Sequence, residues 1–342
     1  MKAKTASGWE TSLKKRAPAL VVSSGFLTGS RTVPSEEVDR AFAMPIGKLR
    51  KRAGIESLAY ASESENELTL GARSLEEALR GALCGAQELD WIIATSETHH
   101  DYPALAAQLH SRLVVRENCG ALDVGGACLG LLNALAVAQS LIGSGAAKRV
   151  VVVTADVHSR VLTAGRVVGE FGGLFGDGAS AFLLRREEDV PDGPPGYRLG
   201  DFLFGCARQY AAAIRVAPKR DGGLDVKFDG EAISRAAITR MEKVIAAVEA
   251  RSGISRKSVG SFATHQPNPR LLALLAKHCG VSPGTFPPIC RTSGNLGSSM
   301  CGAALHAALQ NATNTESRQR KPIFLVSLGP GLLFGGTWLT PA

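Results

Sequence analysis

The sequence predicts an α/β fold in which parallel or mixed sheets are covered by helices. Short apolar, β-branched runs alternate with longer segments of helical period, in both the first and the second part of the chain. With 342 residues, of which 45% are hydrophobic and 20% charged, the composition is typical of a globular protein with a large core. A charged break rich in proline and glycine, residues 185–196, is the best candidate boundary and predicts two halves, 1–185 and 186–342.

Strands are predicted where apolar and β-branched residues run together between turn-forming residues. The run Val150-Val151-Val152-Val153 is typical of a central strand that is buried on both faces. The predicted strands cover residues 19–25, 89–95, 121–124, 149–154, 182–184, 197–204, 261–264, 322–328 and 332–339.

Helices are predicted where apolar residues recur at spacings of three and four. The predicted helices cover residues 69–83, 104–113, 129–142, 231–251, 267–277 and 298–310. A further helix is expected to open after Val33, with Ser35 as its cap. Between these elements we expect a basic loop at 50–55 and, at 161–174, a glycine-rich loop that could line a tunnel.

The cysteines indicate a reduced compartment. All 7 are irregularly spaced and none forms a Cys-x-x-Cys pair, which argues against a disulfide framework or a structural metal site. No apolar run is long enough to span a bilayer. The N-terminus, residues 1–18, is polar and basic without an apolar signal core, and we interpret it as a short tail. We therefore expect a cytoplasmic protein that binds neither a metal nor a membrane.

The formal net charge is +8, and basic residues cluster at 14–16, 50–52 and 318–321. Each cluster alone is typical of solvated surface, but together they can form a landing site for an anionic partner. Aromatic residues are only 6% and no nucleic-acid motif occurs, so we do not expect nucleic acid as that partner. An acidic carrier protein or a phosphorylated cofactor fits the charge.

Cys128 is predicted to lie where a strand ends and a helix begins, after the turn Gly125-Gly126-Ala127. The free N–H groups and partial positive charge of a helix N-terminus favour a thiolate over a thiol. A nucleophile in this position can attack a thioester and hold its acyl group. The alternative is that Cys128 is a small buried hydrophobe, which is the usual role of a free cysteine.

His265 and Asn295 also follow strands or loops ahead of helices, as Cys128 does. Active sites of α/β folds gather at such ends, and a Cys–His pair is a common arrangement for a nucleophile. Their spacing alone leaves open whether the three side chains meet. Taken singly, His265 is equally typical of a satisfied core histidine, and Asn295 of a turn or cap residue.

Several blocks resemble the β-ketoacyl-acyl-carrier-protein synthase III branch of the thiolase-fold condensing enzymes. They are Asp123-Val124-Gly125-Gly126-Ala127-Cys128, Phe175-Gly176-Asp177-Gly178-Ala179, Thr264-His265-Gln266-Pro267-Asn268-Pro269-Arg270, Ser293-Gly294-Asn295-Leu296-Gly297-Ser298-Ser299 and Gly329-Pro330-Gly331-Leu332. The blocks stand in the family's order, and the resemblance covers the chain from about Leu20 to the C-terminus.

The resemblance implies a thiolase-like fold: two pseudo-repeated βαβαβαββ halves in a five-layered αβαβα subunit that forms a homodimer. It implies a Cys-His-Asn triad of Cys128, His265 and Asn295. Cys128 takes an acyl group from a thioester, with an oxyanion site formed by its own N–H and by the turn from Gly329 to Gly331. His265 and Asn295 then stabilise the enolate that forms when a malonyl-type thioester loses carbon dioxide.

The same resemblance implies that no cofactor is tightly bound. The substrates are then phosphopantetheine thioesters, carried by coenzyme A or by an acyl carrier protein. Arg52, Asn268 and Arg270 match positions that bind the phosphopantetheine arm or the carrier, and Tyr102 matches an aromatic that crosses the dimer interface to the acyl pocket. Tyr102 is equally typical of an ordinary packing aromatic.

Two departures from the family pattern indicate a specialised biosynthetic enzyme, for example in polyketide or other secondary metabolism. Lys48 stands where the family has a tryptophan that stacks on the adenine of coenzyme A, which favours a carrier protein as the donor. Pro330 stands in a turn that is usually all glycine, and proline has no N–H to donate.

Three other functions remain open from the sequence. One is a thiolase-fold acyltransferase that passes the acyl group from Cys128 to an alcohol or amine. Another is a non-catalytic partner subunit of a condensing heterodimer, against which the intact Cys128, His265 and Asn295 argue. A cysteine hydrolase is the third, and only the presence of cysteine and histidine supports it.

Overall fold

Fourteen strands alternate with ten helices along the part of the chain that the computed structural model describes, residues 18–167, 169–190, 196–210, 212–228, 230–313 and 319–342. Most of the expected N-terminal tail, residues 1–17, lies outside this part, and so do residues 191–195 of the expected boundary and the start of the basic cluster at 318. Within the described ranges, no helix is both long and apolar enough to cross a membrane.

The strands agree with most of the predicted ones, with boundaries shifted by a few residues. They are β1 Ala19–Thr28, β2 Arg31–Pro34, β3 Ser57–Tyr60, β4 Trp91–Thr95, β5 Gly120–Asp123, β6 Arg149–Val157, β7 Asp177–Arg186, β8 Tyr197–Leu199, β9 Leu203–Cys206, β10 Ile214–Pro218, β11 Leu224–Phe228, β12 Ser261–Thr264, β13 Ile323–Gly329 and β14 Leu333–Pro341.

The helices include all those predicted and several short ones. They are α1 Ser35–Ala41, α2 Glu67–Gly81, α3 Leu105–Arg112, α4 Gly130–Gly143, α5 His158–Val161, α6 Glu170–Gly173, α7 Gly230–Ser252, α8 Pro269–Cys279, α9 Cys290–Ser293 and α10 Ser299–Thr313. Local chemistry sets several ends: Asn66 and Thr69 cap each other's backbone at the start of α2, and Gly280 ends α8 in a left-handed conformation.

Ten strands form one mixed sheet in the order β12-β13-β14-β8-β1-β7-β6-β4-β5, with β9 paired to β14. The pairs β12–β13, β4–β5 and β4–β6 are parallel, and β1–β7, β6–β7 and β13–β14 are antiparallel. The short strand β8 joins β1 to β14 and so makes the sheet continuous through both halves. The prediction of a mixed sheet is confirmed.

Helices α4 and α10 lie in the middle of the molecule. Leu135 and Ile142 of α4 and Leu305 of α10 share one core cluster with residues of β6, β7, β12 and β13. Each such side chain contributes roughly 1.5–3 kcal/mol when fully buried, so this central layer is a main source of stability.

The outer faces of the sheet are covered by two further pairs of helices. Helices α2 and α3 pack on the opposite face of β4, β6 and β7, and α7 and α8 pack on the opposite face of β12 and β13. The two ends of the continuous sheet lie on either side of α4 and α10. The layers therefore run helix, sheet, helix, sheet, helix. The carboxyl ends of β4, β5 and β12 carry loops to one site, as expected for an α/β sheet.

Two local predictions are wrong. Ser35 does not cap α1: Pro34 holds the cap position, without a side-chain hydrogen bond, and Ser35 lies inside the first turn. The segment at 50–55 is not a loop, because Leu49–Ala53 forms a helical turn that buries Leu49, Ala53 and Ile55 against α1 and β3.

The region from 197 to 228 also differs from its prediction. The expected strand over 197–204 is divided into β8 and β9, and the polar stretch after it contains the hairpin β10–β11. Alternate hairpin residues are apolar and partly exposed, among them Val216 and Phe228, which are 45% and 41% exposed. This hairpin forms one wall of the site described next.

Candidate active site

Cys128, His265 and Asn295 line a single cavity of about 830 Å³. Cys128 comes from the loop after β5, His265 directly follows β12, and Asn295 precedes α10. The structure thus brings together the three polar residues that the sequence singles out, although up to 167 residues separate them in the chain.

Cys128 lies in the 3₁₀ turn Ala127–Leu129, immediately ahead of α4. The turn needs Gly126, whose φ of +140° is unfavourable for other residues and whose missing Cβ would lie 2.2 Å from Asn133 Nδ2. The Cys128 carbonyl accepts a hydrogen bond of 2.7 Å from Ser327 Oγ, so β13 fixes the nucleophile's backbone from the other half of the chain.

The helix N-terminus favours a thiolate at Cys128, but the surroundings of the side chain oppose it. Cys128 is only 7% exposed. Burial, followed by the negative charge of Glu97, raises the pKa of the Cys128 thiol well above its ordinary value. These two effects act against the partial charge of the helix end and favour a neutral thiol in the resting site.

His265 is a neutral imidazole at physiological pH. Burial lowers its pKa to about 4; the charge of Glu97 opposes this shift, and the charge of His158 adds to it. Its buried Nδ1 has no hydrogen-bond partner among the described residues. A neutral ring with one N–H is a hydrogen-bond donor that adds no charge to the cavity.

Asn295 is held by its backbone and by one side-chain atom. Its N–H donates to Leu174 O at 2.8 Å, and its carbonyl accepts from Gly176 N at 2.9 Å. Its Oδ1 accepts a hydrogen bond of 3.0 Å from Gly297 N. The Nδ2 amide remains the group that Asn295 can donate to a molecule in the cavity.

Of the two glycines predicted for the oxyanion site, only Gly329 lies at the nucleophile. A Cβ on Gly329 would lie 3.4 Å from Cys128 Cβ and 3.6 Å from Cys128 N, which is ordinary van der Waals contact, so Gly329 lies directly against the nucleophile. Gly329 and Pro330 line the cavity, whereas Gly331 is not among the lining residues.

Arg52, Asn268 and Arg270 line the same cavity. Asn268 also has a structural task, because its Oδ1 caps α8 by accepting a hydrogen bond of 2.9 Å from Leu271 N. Tyr102 is 97% exposed and does not line the cavity of its own chain.

The remaining walls of the cavity are largely apolar. Part of the glycine-rich segment expected to line a tunnel does so, through Phe171 and Leu174. The unpredicted hairpin β10–β11 contributes Ile214, Val216, Val226 and Phe228, which are joined by Leu271 and Leu274 of α8.

Glu97, which the sequence does not single out, also lines this cavity. Its carboxylate Oε2 lies 3.6 Å from His158 Nε2, and the His158 ring stacks on Phe175 at 4.7 Å between centroids. Burial acts to lower the pKa of His158, but the carboxylates of Glu97, Asp156 and Asp177 outweigh it and raise that pKa to about 9. His158 is therefore a buried imidazolium.

Asp156, buried at the end of β6, ties two loops of the site together. Its Oδ1 accepts from Glu97 N at 2.6 Å, and its Oδ2 accepts from Ser298 Oγ at 2.6 Å and Ser299 N at 3.2 Å. Burial raises the pKa of Asp156 to about 6, against the opposing charge of His158. This one carboxyl group fixes the loop of Glu97 relative to the segment that carries Asn295.

An internal similarity in the sequence could have indicated Glu97. Ala94-Thr95-Ser96-Glu97 follows the pattern of Ala263-Thr264-His265-Gln266, and both lie where a buried strand meets its loop. His158 has no comparable signal, because its significance depends on the acidic residues around it. Within the described ranges, no group of three or more His, Cys, Asp or Glu side chains is arranged to hold a metal ion.

Comparison with known proteins assigns two regions of the chain to one family. Residues 122–201 match the family model of 3-oxoacyl-[acyl-carrier-protein] synthase III, and residues 250–340 match the model of its C-terminal part.

Individual relatives agree with this match. The chain is 30% identical over 271 residues to a β-ketoacyl-[acyl-carrier-protein] synthase III from Ruegeria pomeroyi, covering 77% of this chain and 81% of the relative. It is 29% identical over 294 residues to the protein of the same name from Haemophilus ducreyi, covering 84% and 86%.

Among solved structures, the priming β-ketosynthase of the R1128 polyketide pathway superimposes with a TM-score of 0.84, at 22% identity, covering 97% of this chain and 99% of that chain. The expected fold is confirmed by this likeness.

Proposed function

This chain belongs to the 3-oxoacyl-[acyl-carrier-protein] synthase III family, and from that premise we propose how its own residues form a carbon–carbon bond. It is an acyltransferase of the condensing-enzyme class. We propose Cys128, His265 and Asn295 as its catalytic residues. The observation that carries the proposal is that all three line one cavity, with His265 held neutral.

In the first step, the sulfur of Cys128 attacks the carbonyl of an acyl thioester and the carrier thiol departs. The N–H groups of Cys128 and Gly329 are the donors proposed for the developing oxyanion, since Gly329 packs directly on Cys128. Pro330 cannot donate, and Gly331 lies outside the lining of the cavity. The site joins the two proposed halves, residues 1–185 and 186–342.

In the second step, a malonyl-type thioester enters and its carbonyl accepts hydrogen bonds from His265 and from Nδ2 of Asn295. Carbon dioxide leaves, the resulting enolate attacks the acyl-cysteine, and the Cys128 thiolate departs and is reprotonated. Two neutral donors suit this step, because they stabilise the enolate without competing for its negative charge.

The substrates are proposed to be thioesters of phosphopantetheine, as in the relatives named for acyl-carrier-protein substrates. Arg52 and Arg270 give the cavity two cations that can bind the phosphate of the arm. Lys48 pairs with Glu170 at 3.1 Å, so its ammonium is already engaged and offers no stacking surface for adenine. This favours a carrier protein over coenzyme A as the donor, and the apolar walls favour an aliphatic acyl group.

We also propose that two copies form a homodimer, in the cytoplasm, through strand β5. This strand is at the edge of the sheet, and Leu122 on it is 40% exposed. An exposed edge with an apolar side chain is a template for pairing with another strand. The exposed Tyr102 would then reach into the cavity of the partner.

To test this proposal, the purified protein is incubated with an acyl thioester and malonyl-thioester. Carbon dioxide release, the β-ketoacyl product and the acyl adduct on Cys128 are then measured. C128A should abolish the adduct and the condensation product. H265A and N295A should keep the adduct but lower carbon dioxide release at least 100-fold, in the range typical of one lost oxyanion donor. Acyl transfer without carbon dioxide release would instead favour transfer to an alcohol or amine. Failure of the wild type to form any adduct would favour a non-catalytic subunit.

A further inference from the structure

The mechanism above leaves the buried carboxylate of Glu97 without a role, although it lines the cavity. Its side chain is only 17% exposed, and Oε1 is buried without a hydrogen-bond partner among the described residues. An unsatisfied carboxylate oxygen in a buried site is costly, and it lies in the same cavity as Cys128 and His265. A carboxylate beside the enolate also opposes the condensation step electrostatically, so its presence needs a chemical reason.

The surroundings hold Glu97 firmly and leave one oxygen unused. The backbone N–H is bound by Asp156 at 2.6 Å, and Oε2 faces His158 Nε2 at 3.6 Å. The His158 ring is itself fixed by stacking on Phe175. Oε2 is therefore engaged by a cation, and Oε1 remains an acceptor.

The charges around Glu97 and Cys128 define the resting state. Burial acts to raise the pKa of Glu97, but the hydrogen bond and charge of His158 outweigh it and lower that pKa below its ordinary value. Burial, followed by the negative charges of Glu97 and Asp156, raises the pKa of Cys128, so its thiol stays protonated. At neutral pH the site therefore holds a thiol next to an ionised carboxylate.

We propose that Glu97 is a further catalytic residue, which accepts the proton of the Cys128 thiol as the sulfur attacks the acyl thioester and delivers that proton to the departing carrier thiolate. This inference rests on the proposed function. The S–H bond of Cys128 breaks as its C–S bond forms; the C–S bond of the incoming thioester breaks, and the carrier sulfur receives the proton. No electron transfer or additional reactant is involved.

Charge balance selects Glu97 over His265 as the acceptor. Protonating His265 would create a second buried imidazolium near His158, and burial opposes that charge more than the neighbouring Glu97 favours it. Moving the proton to Glu97 keeps a single negative charge in the pair, transferred from the carboxylate to sulfur, and His158 still compensates it. The carboxylate is neutral at the moment when the sulfur becomes a nucleophile.

The experiment compares E97Q and E97D with the wild type, using the octanoyl thioester of N-acetylcysteamine as the probe. Rapid quench and intact-protein mass spectrometry measure single-turnover acylation of Cys128 at pH 7. General-base catalysis is typically worth about 10²–10⁴-fold, so E97Q should acylate slower by that factor and E97D should recover part of the rate. E170Q is the matched control: it removes another carboxylate from the cavity wall, one that pairs with Lys48.

A second readout separates proton transfer from structural support. Alkylation by iodoacetamide, measured against pH, reports how readily the thiol ionises. E97Q should become half-maximally alkylated at lower pH than the wild type, because the repelling carboxylate is gone, while its acylation slows. This opposite response is the expected result.

An acylation rate for E97Q within threefold of the wild-type rate overturns the role of Glu97. Acylation that is as slow in E170Q as in E97Q overturns it as well. Slowing of both acylation and alkylation in E97Q overturns it too, in favour of a structural role. In each case the wild type still forms its Cys128 adduct, so the proposed function stands. Absence of that adduct in the wild type would instead refute the proposed function, and this inference with it.

Discussion

Replacing Gly297 with alanine should displace His158 from its position beside Glu97. Gly297 has a φ of +58°, and a Cβ built there would lie 2.3 Å from His158 Cε1 and 2.9 Å from His158 Nε2. Phe175 stacks on the ring and Glu97 lies 3.6 Å from it, so these two neighbours restrict how the ring can move. To regain ordinary contact, the ring or the loop must shift by about 1 Å.

Two costs add up in G297A. The left-handed conformation costs a non-glycine residue roughly 1–2 kcal/mol. Overpacking of a close-packed site costs typically a further 1–3 kcal/mol, so the total destabilisation should be about 2–5 kcal/mol. Because the shift separates His158 from Glu97, single-turnover acylation of Cys128 should also slow.

Gly280 provides a matched control for the conformational part of this cost. It has a φ of +65° at the end of α8, and a Cβ there would meet nothing within 4 Å. G280A should therefore lose only the left-handed strain, about 1–2 kcal/mol. Urea denaturation of both variants measures the difference, which isolates the clash with His158.

A double-mutant cycle completes the test. In H158A the ring is absent, so G297A should cost less in that background, and the two substitutions should couple by about 1–3 kcal/mol. Equal destabilisation by G297A and G280A, or additive effects of G297A and H158A, would refute the packing described here.

Three further predictions concern the charge, the edge and the entrance of the site. Folding raises the pKa of His158 from 6.5 to about 9. Protonation of His158 therefore stabilises the folded state fully below pH 6.5, and this contribution is lost as pH rises through 9. Urea denaturation should show a loss of about 3 kcal/mol across that window in the wild type and none from this source in H158Q. L122R should convert the proposed dimer to monomer in analytical ultracentrifugation, and an unchanged sedimentation coefficient would exclude β5 as the interface. N268A should cost about 1 kcal/mol through loss of the α8 cap, while N268D keeps a capping oxygen. A higher KM for the carrier thioester in N268D, at unchanged stability, would then report loss of the amide donor together with repulsion of the phosphate by the new carboxylate.

Much of the fold follows from local patterns in the sequence. The valine run of β6 and the apolar period of α4 are each sufficient to specify their element, because burial on both faces demands apolar side chains throughout. The sequence does not reveal which helices are central. Helices α4 and α10 gain that position only when both halves close around them, which is a long-range property.

The site is predictable where chemistry is local and not where it depends on distant partners. His265 directly follows β12, and Cys128 lies in the turn between β5 and α4, so their positions signal a role. Glu97 occupies an equally suggestive position, but only the fold shows that His158 compensates its charge.

The ionisation state of Cys128 cannot be predicted from the sequence, for a different reason. The helix terminus that favours a thiolate is visible in the sequence, whereas the burial that opposes it is not. The hairpin β10–β11 was likewise invisible, since its apolar residues face a cavity instead of a core.

The hydrogen bond from Ser327 to the carbonyl of Cys128, together with the packing of Gly329 on the same residue, has a consequence during synthesis of the chain. A nascent chain that has already exposed Cys128, but not yet Ser327 and Gly329, lacks both this hydrogen bond and the proposed oxyanion donor. The backbone of the nucleophile turn is therefore fixed only after β13 has been synthesised.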